Sequence, residues 1–234
     1  MNDIYPNAPL DEAIFEIRFP AELSIECKRD EYYEKIRSNF SNIFVPPYEV
    51  GKSYSLQPYS FRNDDHSEII NFSVNTFSYH TKKYAGFKVF RNKAIEYLEL
   101  FCQLYKIKFL KRTGLRYINY IPLERKNDTV PIHNYLKFGY ILPDSIPSNF
   151  EALETGLLSK IGDGKLRTAI GLAKLTKETQ VEAILLDFDF YFEGNPEVSK
   201  LELYIENSHN YIKKAFEDII SDEYRNIMQG EVKI

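Results

Sequence analysis

The residue types that could do chemistry fall on three segments with strand-like alternation. In residues 11–19, Ala13, Phe15, Ile17 and Phe19 share one parity, and Glu12, Ile14, Glu16 and Arg18 share the other. In residues 109–121, Arg112, Gly114 and Arg116 lie on one parity, with Tyr117 and Asn119 on the opposite one. In residues 181–193, Asp187, Asp189, Tyr191 and Glu193 stand opposite an apolar row of Ile184, Leu186, Phe188, Phe190 and Phe192. Carboxylates are depleted in strands, so three of them at spacing two need partners or water. The plain expectation is a solvated sheet face with cross-strand arginine–carboxylate pairs, each worth about 0.2–1 kcal/mol. The sharper expectation is one polar cleft that draws on Glu12, Glu16, Arg18, Arg116, Asn119, Asp187 and Asp189. Carboxylate oxygens there would suit Mg²⁺ or Mn²⁺ together with a substrate phosphate, and Arg116 would clamp the anion.

A second group is basic. Lys106, Lys108, Lys111, Arg112 and Arg116 alternate with Tyr105, Phe109 and Tyr117. Cations interleaved with aromatics can track a nucleic-acid backbone, which makes Lys108, Lys111 and Arg112 the nucleic-acid candidates. The simpler reading is a helix C-terminus whose cations complement its dipole. The net charge of −4 counts against a constitutive nucleic-acid binder.

Other chemistry lacks its residues. The four histidines, His66, His80, His133 and His209, show no metal-ligand spacing, and there is no paired Cys-x-x-Cys. His209 lies beside an apolar helical stripe, where a hydrogen-bonded packing role is expected. Gly162-Asp163-Gly164-Lys165 lacks a P-loop frame, and no Gly-x-Ser-x-Gly elbow occurs. Cys27 and Cys102 sit beside apolar residues and read as reduced thiols, at least one of them buried.

The elements that must position these residues follow from periodicity. Apolar residues at helical spacing predict helices over 29–44, 84–106 and 197–220, and a short last helix capped by Ser221. Short alternating runs predict strands at 54–58, 68–74 and 77–80, and later at 150–159, 166–174 and 181–193. Asn63-Asp64-Asp65 and Gly162-Asp163-Gly164 read as hairpin turns. Residues 122–148 are rich in proline and read as loop. Three strands followed by a long helix thus occur twice, which suggests a duplicated unit with halves 1–121 and 133–230 inside a single domain of residues 1–234. The fold class expected is α+β, a mostly antiparallel sheet with long amphipathic helices on one face.

At 234 residues, 44% hydrophobic and 15% aromatic, the chain can bury a large core without disulfides or metal. The start, Met1-Asn2-Asp3-Ile4-Tyr5-Pro6, has neither a basic end nor an apolar run, and no apolar stretch approaches a membrane span. A cytoplasmic protein that does not engage the membrane is therefore expected.

Several segments together resemble a sporadically distributed family of bacterial and archaeal proteins of about this length. They are Pro6-Asn7-Ala8-Pro9-Leu10 running into Glu12–Phe19, Gly114-Leu115-Arg116-Tyr117-Ile118-Asn119, Leu185-Leu186-Asp187-Phe188-Asp189, and the tail Ser208-His209-Asn210 with Ala215-Phe216-Glu217 and Ile220-Ser221. The resemblance implies one folded unit and a distribution like that of defence or mobile-element genes; it implies no activity. Glu16-Ile17-Arg18 also invites comparison with the triphosphate-tunnel enzymes, whose first strand carries Glu-x-Glu-x-Lys. Here Ile14 takes the place of the first glutamate and Arg18 that of the lysine.

With no complete catalytic set and abundant Tyr and Phe, the leading expectation is a non-enzymatic binding or interaction module, engaging a protein partner or itself as a homo-oligomer. The alternatives are an Mg²⁺- or Mn²⁺-dependent enzyme on a phosphate-containing substrate, and an RNA- or DNA-binding protein.

Overall fold

The computed structural model describes residues 5–46, 58–139, 141–143, 145–147, 149–174 and 181–231. Its strands form one nine-stranded antiparallel sheet in the order β2-β3-β4-β5-β1-β6-β9-β8-β7. They are β1 (Leu10–Arg18), β2 (Asn42–Phe44), β3 (Tyr59–Arg62), β4 (Glu68–Ser73), β5 (Thr76–Thr81), β6 (Arg112–Pro122), β7 (Glu154–Ile161), β8 (Gly164–Lys174) and β9 (Glu182–Glu193). The helices are α1 (Ser24–Cys27), α2 (Arg29–Ile36), α3 (Phe87–Leu104), α4 (Ile132–Tyr135), α5 (Leu201–Ile219) and α6 (Asp222–Gln229). The fold is thus α+β, and the series of three strands then a long helix occurs twice, as β3-β4-β5-α3 and β7-β8-β9-α5. The predicted strand at 54–58 falls almost wholly outside the described residues.

The chain divides into two compact units. One comprises residues 1–11, 117–190 and 209–234, and the other residues 12–116 and 191–208. In the second unit, β1 pairs with β5 so that Ile14 faces His80 and Glu16 faces Ser78, and β5 pairs with β4 so that Asn71 faces Ser78. Alternation then sends Phe15, Ile17, Ile70, Phe72, Phe77 and Tyr79 to one face, where all are buried. That face receives α2 and α3. Tyr32 of α2 meets Phe72, Phe77 and Phe101 edge-on, with ring centroids 5.2, 6.1 and 5.5 Å away. Its hydroxyl donates to the Tyr97 carbonyl at 3.0 Å. The stacked, tilted and edge-on rings here are the arrangements that aromatic quadrupoles favour. Cys102 of α3 is buried at the same layer, and burial pushes its thiol up to about 12, so it packs as a small hydrophobe; Cys27 is exposed.

The helix predicted over 29–44 ends early. α2 stops at Ile36, where the Asn39 and Phe40 amides both donate to the Ile36 carbonyl. Ser38, Asn39, Ser41 and Asn42 favour such local bonding over helix continuation. Residues 42–44 instead form β2 on β3, with Ile43 and Phe44 partly exposed. Only α3 and α5 are long helices among the described residues.

In the first unit, β7 and β8 form the hairpin read from Gly162-Asp163-Gly164, with Ile161 opposite Gly164 and Gly162 at φ 57°. Ile184, Leu186, Phe188 and Phe190 of β9 are buried, and Phe190 stacks on Tyr211 of α5 at 4.8 Å. Ser221 caps α6 as predicted, its hydroxyl accepting from the Tyr224 amide at 3.0 Å, and Gly230 ends the helix at φ 79°. Leu136 bridges Ile220, which ties the middle of the proline-rich stretch to the junction of α5 and α6.

One core atom is unsatisfied. The Thr113 hydroxyl is fully buried and finds no hydrogen-bond partner among the described residues. Removing an orphaned buried hydroxyl while keeping a β-branched shape should be favourable. Thr113→Val is expected to raise stability by about 1 kcal/mol in a urea titration; a loss of that size would show that the hydroxyl is satisfied in solution.

Candidate functional site

The polar face of the second unit is the side of the sheet away from α2 and α3. It is built by the even-numbered residues of β1, β5 and the first half of β6, and the odd-numbered residues of β4. Two linked groups occupy it. In the first, Glu16 Oε1 accepts from Arg18 Nε at 2.8 Å and from Arg112 at 2.9 Å. Arg112 is mostly buried and its guanidinium lies 4.3 Å over the Tyr191 ring.

The second group centres on His80. Its Nδ1 lies 2.9 Å from Glu12 Oε1, and its Nε2 lies 2.8 Å from Ser78 Oγ and 3.1 Å from Asn71 Nδ2. Burial pushes the Glu12 carboxyl up. The His80 hydrogen bond and the charges of His80, Lys82 and Arg116 outweigh that, so it sits below the usual carboxylate value. An ionised Glu12 can only accept, so in neutral His80 the proton sits on Nδ1 and the single Nε2 lone pair is shared by Ser78 and Asn71. The His80 and Glu12 side chains are 16% and 18% exposed, and Ser78 is buried.

The sequence-predicted residues therefore divide. Glu12, Glu16, Arg18 and Arg112 lie on this face, with Arg116 acting on Glu12. Asn119, Asp187 and Asp189 belong to the first unit. There Asn119 is buried, and its amide donates to the Leu186 carbonyl at 2.9 Å, a core role that stitches β6 to β9. Asp187 is buried, 3.6 Å from Arg167 of the neighbouring strand β8. His209 is a packing histidine: it is buried, with Nδ1 2.9 Å from the Tyr117 hydroxyl.

Lys108 and Lys111 are exposed on the connection between α3 and β6, beside Phe109, which is 70% exposed. Arg112, the third of that set, is turned instead to Glu16 and Tyr191. Among the described residues, no three His, Cys, Asp or Glu side chains are placed to hold a metal ion, and no helix is long and apolar enough to cross a membrane.

Sequence reasoning passed over Ser78, His80 and Asn71. The signal was the Ser-x-His spacing on one strand, which puts both side chains on one face. The partner Glu12 is remote in sequence and comes into reach only through the register of β1 on β5, as a diagonal neighbour. The chain matches no family model and no curated protein.

Proposed function

We propose that this chain is a binding module that holds an acidic group of a protein partner on the charged sheet face of the second unit. The observation that supports it is the cluster of cations on this face: Arg18 and Arg112 pair with Glu16, and the charges of Lys82 and Arg116 act on Glu12. Cations gathered on a partly desolvated face raise the local potential above what the chain's net charge suggests. Arg112 is held by Glu16 and Tyr191, so its position is set before a ligand arrives, which lowers the entropy cost of binding.

The test is a thermal titration with hexaglutamate, and hexalysine at matched ionic strength as control. Hexaglutamate should raise the melting temperature, by the equivalent of about 2.7 kcal/mol at a hundredfold excess over Kd, and Arg116→Gln should remove the shift. Equal shifts from both peptides, or a shift that survives Arg116→Gln, would remove the reading. A metal at Glu16 would require that carboxylate to exchange Arg112 for the cation. A melting temperature unmoved by millimolar Mg²⁺ or Mn²⁺ counts against it.

A further inference from the structure

We propose that Ser78 is a nucleophile, activated by His80 and positioned through Glu12, and that it attacks ester carbonyls. The inference goes beyond the binding reading and does not depend on it, because it stands on three distances within one sheet face.

The constellation has the parts that acyl transfer needs, recognised by geometry and role rather than by sequence order. Ser78 Oγ is 2.8 Å from His80 Nε2, the reach at which a general base takes a proton. His80 Nδ1 is 2.9 Å from Glu12 Oε1, which holds the ring in the tautomer that leaves Nε2 basic. Glu12 stays ionised because His80, Lys82 and Arg116 outweigh its burial. Asn71 faces Ser78 directly across the β4–β5 pair, and its amide nitrogen lies 3.1 Å from His80 Nε2; the second N–H of that amide is the donor for the developing oxyanion. The packing of α2 and α3 is on the opposite face; on this one the His80 and Glu12 side chains are part-exposed and Ser78 beside them is 7% exposed, so an ester must reach its Oγ past those two side chains.

The reaction balances without a cofactor. Ser78 Oγ bonds to the ester carbonyl carbon and its proton passes to His80 Nε2. The carbon–oxygen bond to the alcohol breaks, and the alcohol leaves with that proton. Water, deprotonated by the same nitrogen, then releases the acid and restores the Ser78 hydroxyl. Ser78 and His80 are the catalytic residues; Glu12 is a positioning residue.

The test uses the full chain and a diisopropyl fluorophosphate probe. Oγ displaces fluoride, and the phosphoryl adduct is mapped by peptide mass. One adduct at Ser78 is expected on the folded chain and none on Ser78→Ala. His80→Gln should slow labelling by about 10²–10⁴-fold. Glu12→Gln should slow it as well and change its pH profile, which a merely structural glutamate would not do. Melting curves establish that each variant is folded, and should His80→Gln fail to fold, Glu12→Gln carries the comparison. A folded wild-type chain that takes no adduct at Ser78, or a labelling rate indifferent to both variants, would overturn the proposal.

Discussion

Replacing Tyr32 with alanine should lower the stability of the protein by about 3–5 kcal/mol, the range for removing a large buried ring. Tyr32 is fully buried and is the hub of its layer, touching Phe72 and Phe77 on the sheet, Phe101 on α3 and Tyr105 just after it. Rings this closely packed cannot collapse into the space it vacates without leaving their own contacts. Tyr32→Phe separates the hydroxyl from the ring: it loses the bond to the Tyr97 carbonyl and should cost about 1 kcal/mol. Urea unfolding of the two variants measures both values. A Tyr32→Ala cost near that of Tyr32→Phe would mean that the aromatic layer is not what holds α2 to the sheet.

The second large effect is expected at Arg125. Its guanidinium donates to both oxygens of Glu182, at 2.6 and 3.0 Å, and to the carbonyls of Asp128 and Phe150, each at 3.0 Å. One side chain thus ties the proline-rich stretch, and Phe150 just beyond it, to the start of β9. Arg125→Ala should cost about 2–3 kcal/mol, since charge-assisted and bidentate bonds are the strong ones. Arg125→Lys should recover less than half, because an ammonium cannot make the fork.

The same pair sets a pH dependence. The Arg125 hydrogen bond holds the Glu182 carboxyl below its usual value; burial opposes this, and the charges of Arg125 and Lys174 add to it. A value depressed on folding means that the contribution is fully present above the unfolded carboxylate range, about pH 4.3. It is lost as pH falls through the depressed folded value. Glu12, also depressed, acts in the same direction. The wild type should therefore lose stability on acidification from pH 5 to 3 faster than Arg125→Ala does. Equal slopes would show that the pair contributes nothing to acid sensitivity.

How much of this was legible in the sequence depends on distance along the chain. The stripe Leu201, Ile205 and Ile212 gave α5, and Ser221 before Asp222 and Glu223 gave the cap of α6, because both signals are local. The alternation assigned the buried face of β1 and the buried row of Ile184, Leu186, Phe188 and Phe190 in β9, since burial enforces a period of two, but did not show that Asp187 on the other parity is buried as well. The overlong helix at 29–44 was a local error: Phe40, Ile43 and Phe44 fall at helical spacing by coincidence, while the serines and asparagines between them end the helix. The Ser78–His80–Glu12 row was illegible for a different reason. Its third member is a diagonal neighbour supplied by strand register, and register is settled by the pairing of whole faces. Asn119, a site candidate by residue type, is spent on a carbonyl of β9 for the same reason.

The division of the chain has a consequence for anyone who wishes to dissect it. Both compact units are discontinuous in sequence, with boundaries that fall inside β1, β6, β9 and α5. Tyr5 and Asn7, near the start, bond to Glu217 and to residues of α6 near the end. No single scissor cut can therefore liberate a self-sufficient piece. A break between α4 and β7 leaves each fragment holding parts of both units, so the halves make a natural split-protein pair whose reassembly would report on folding itself.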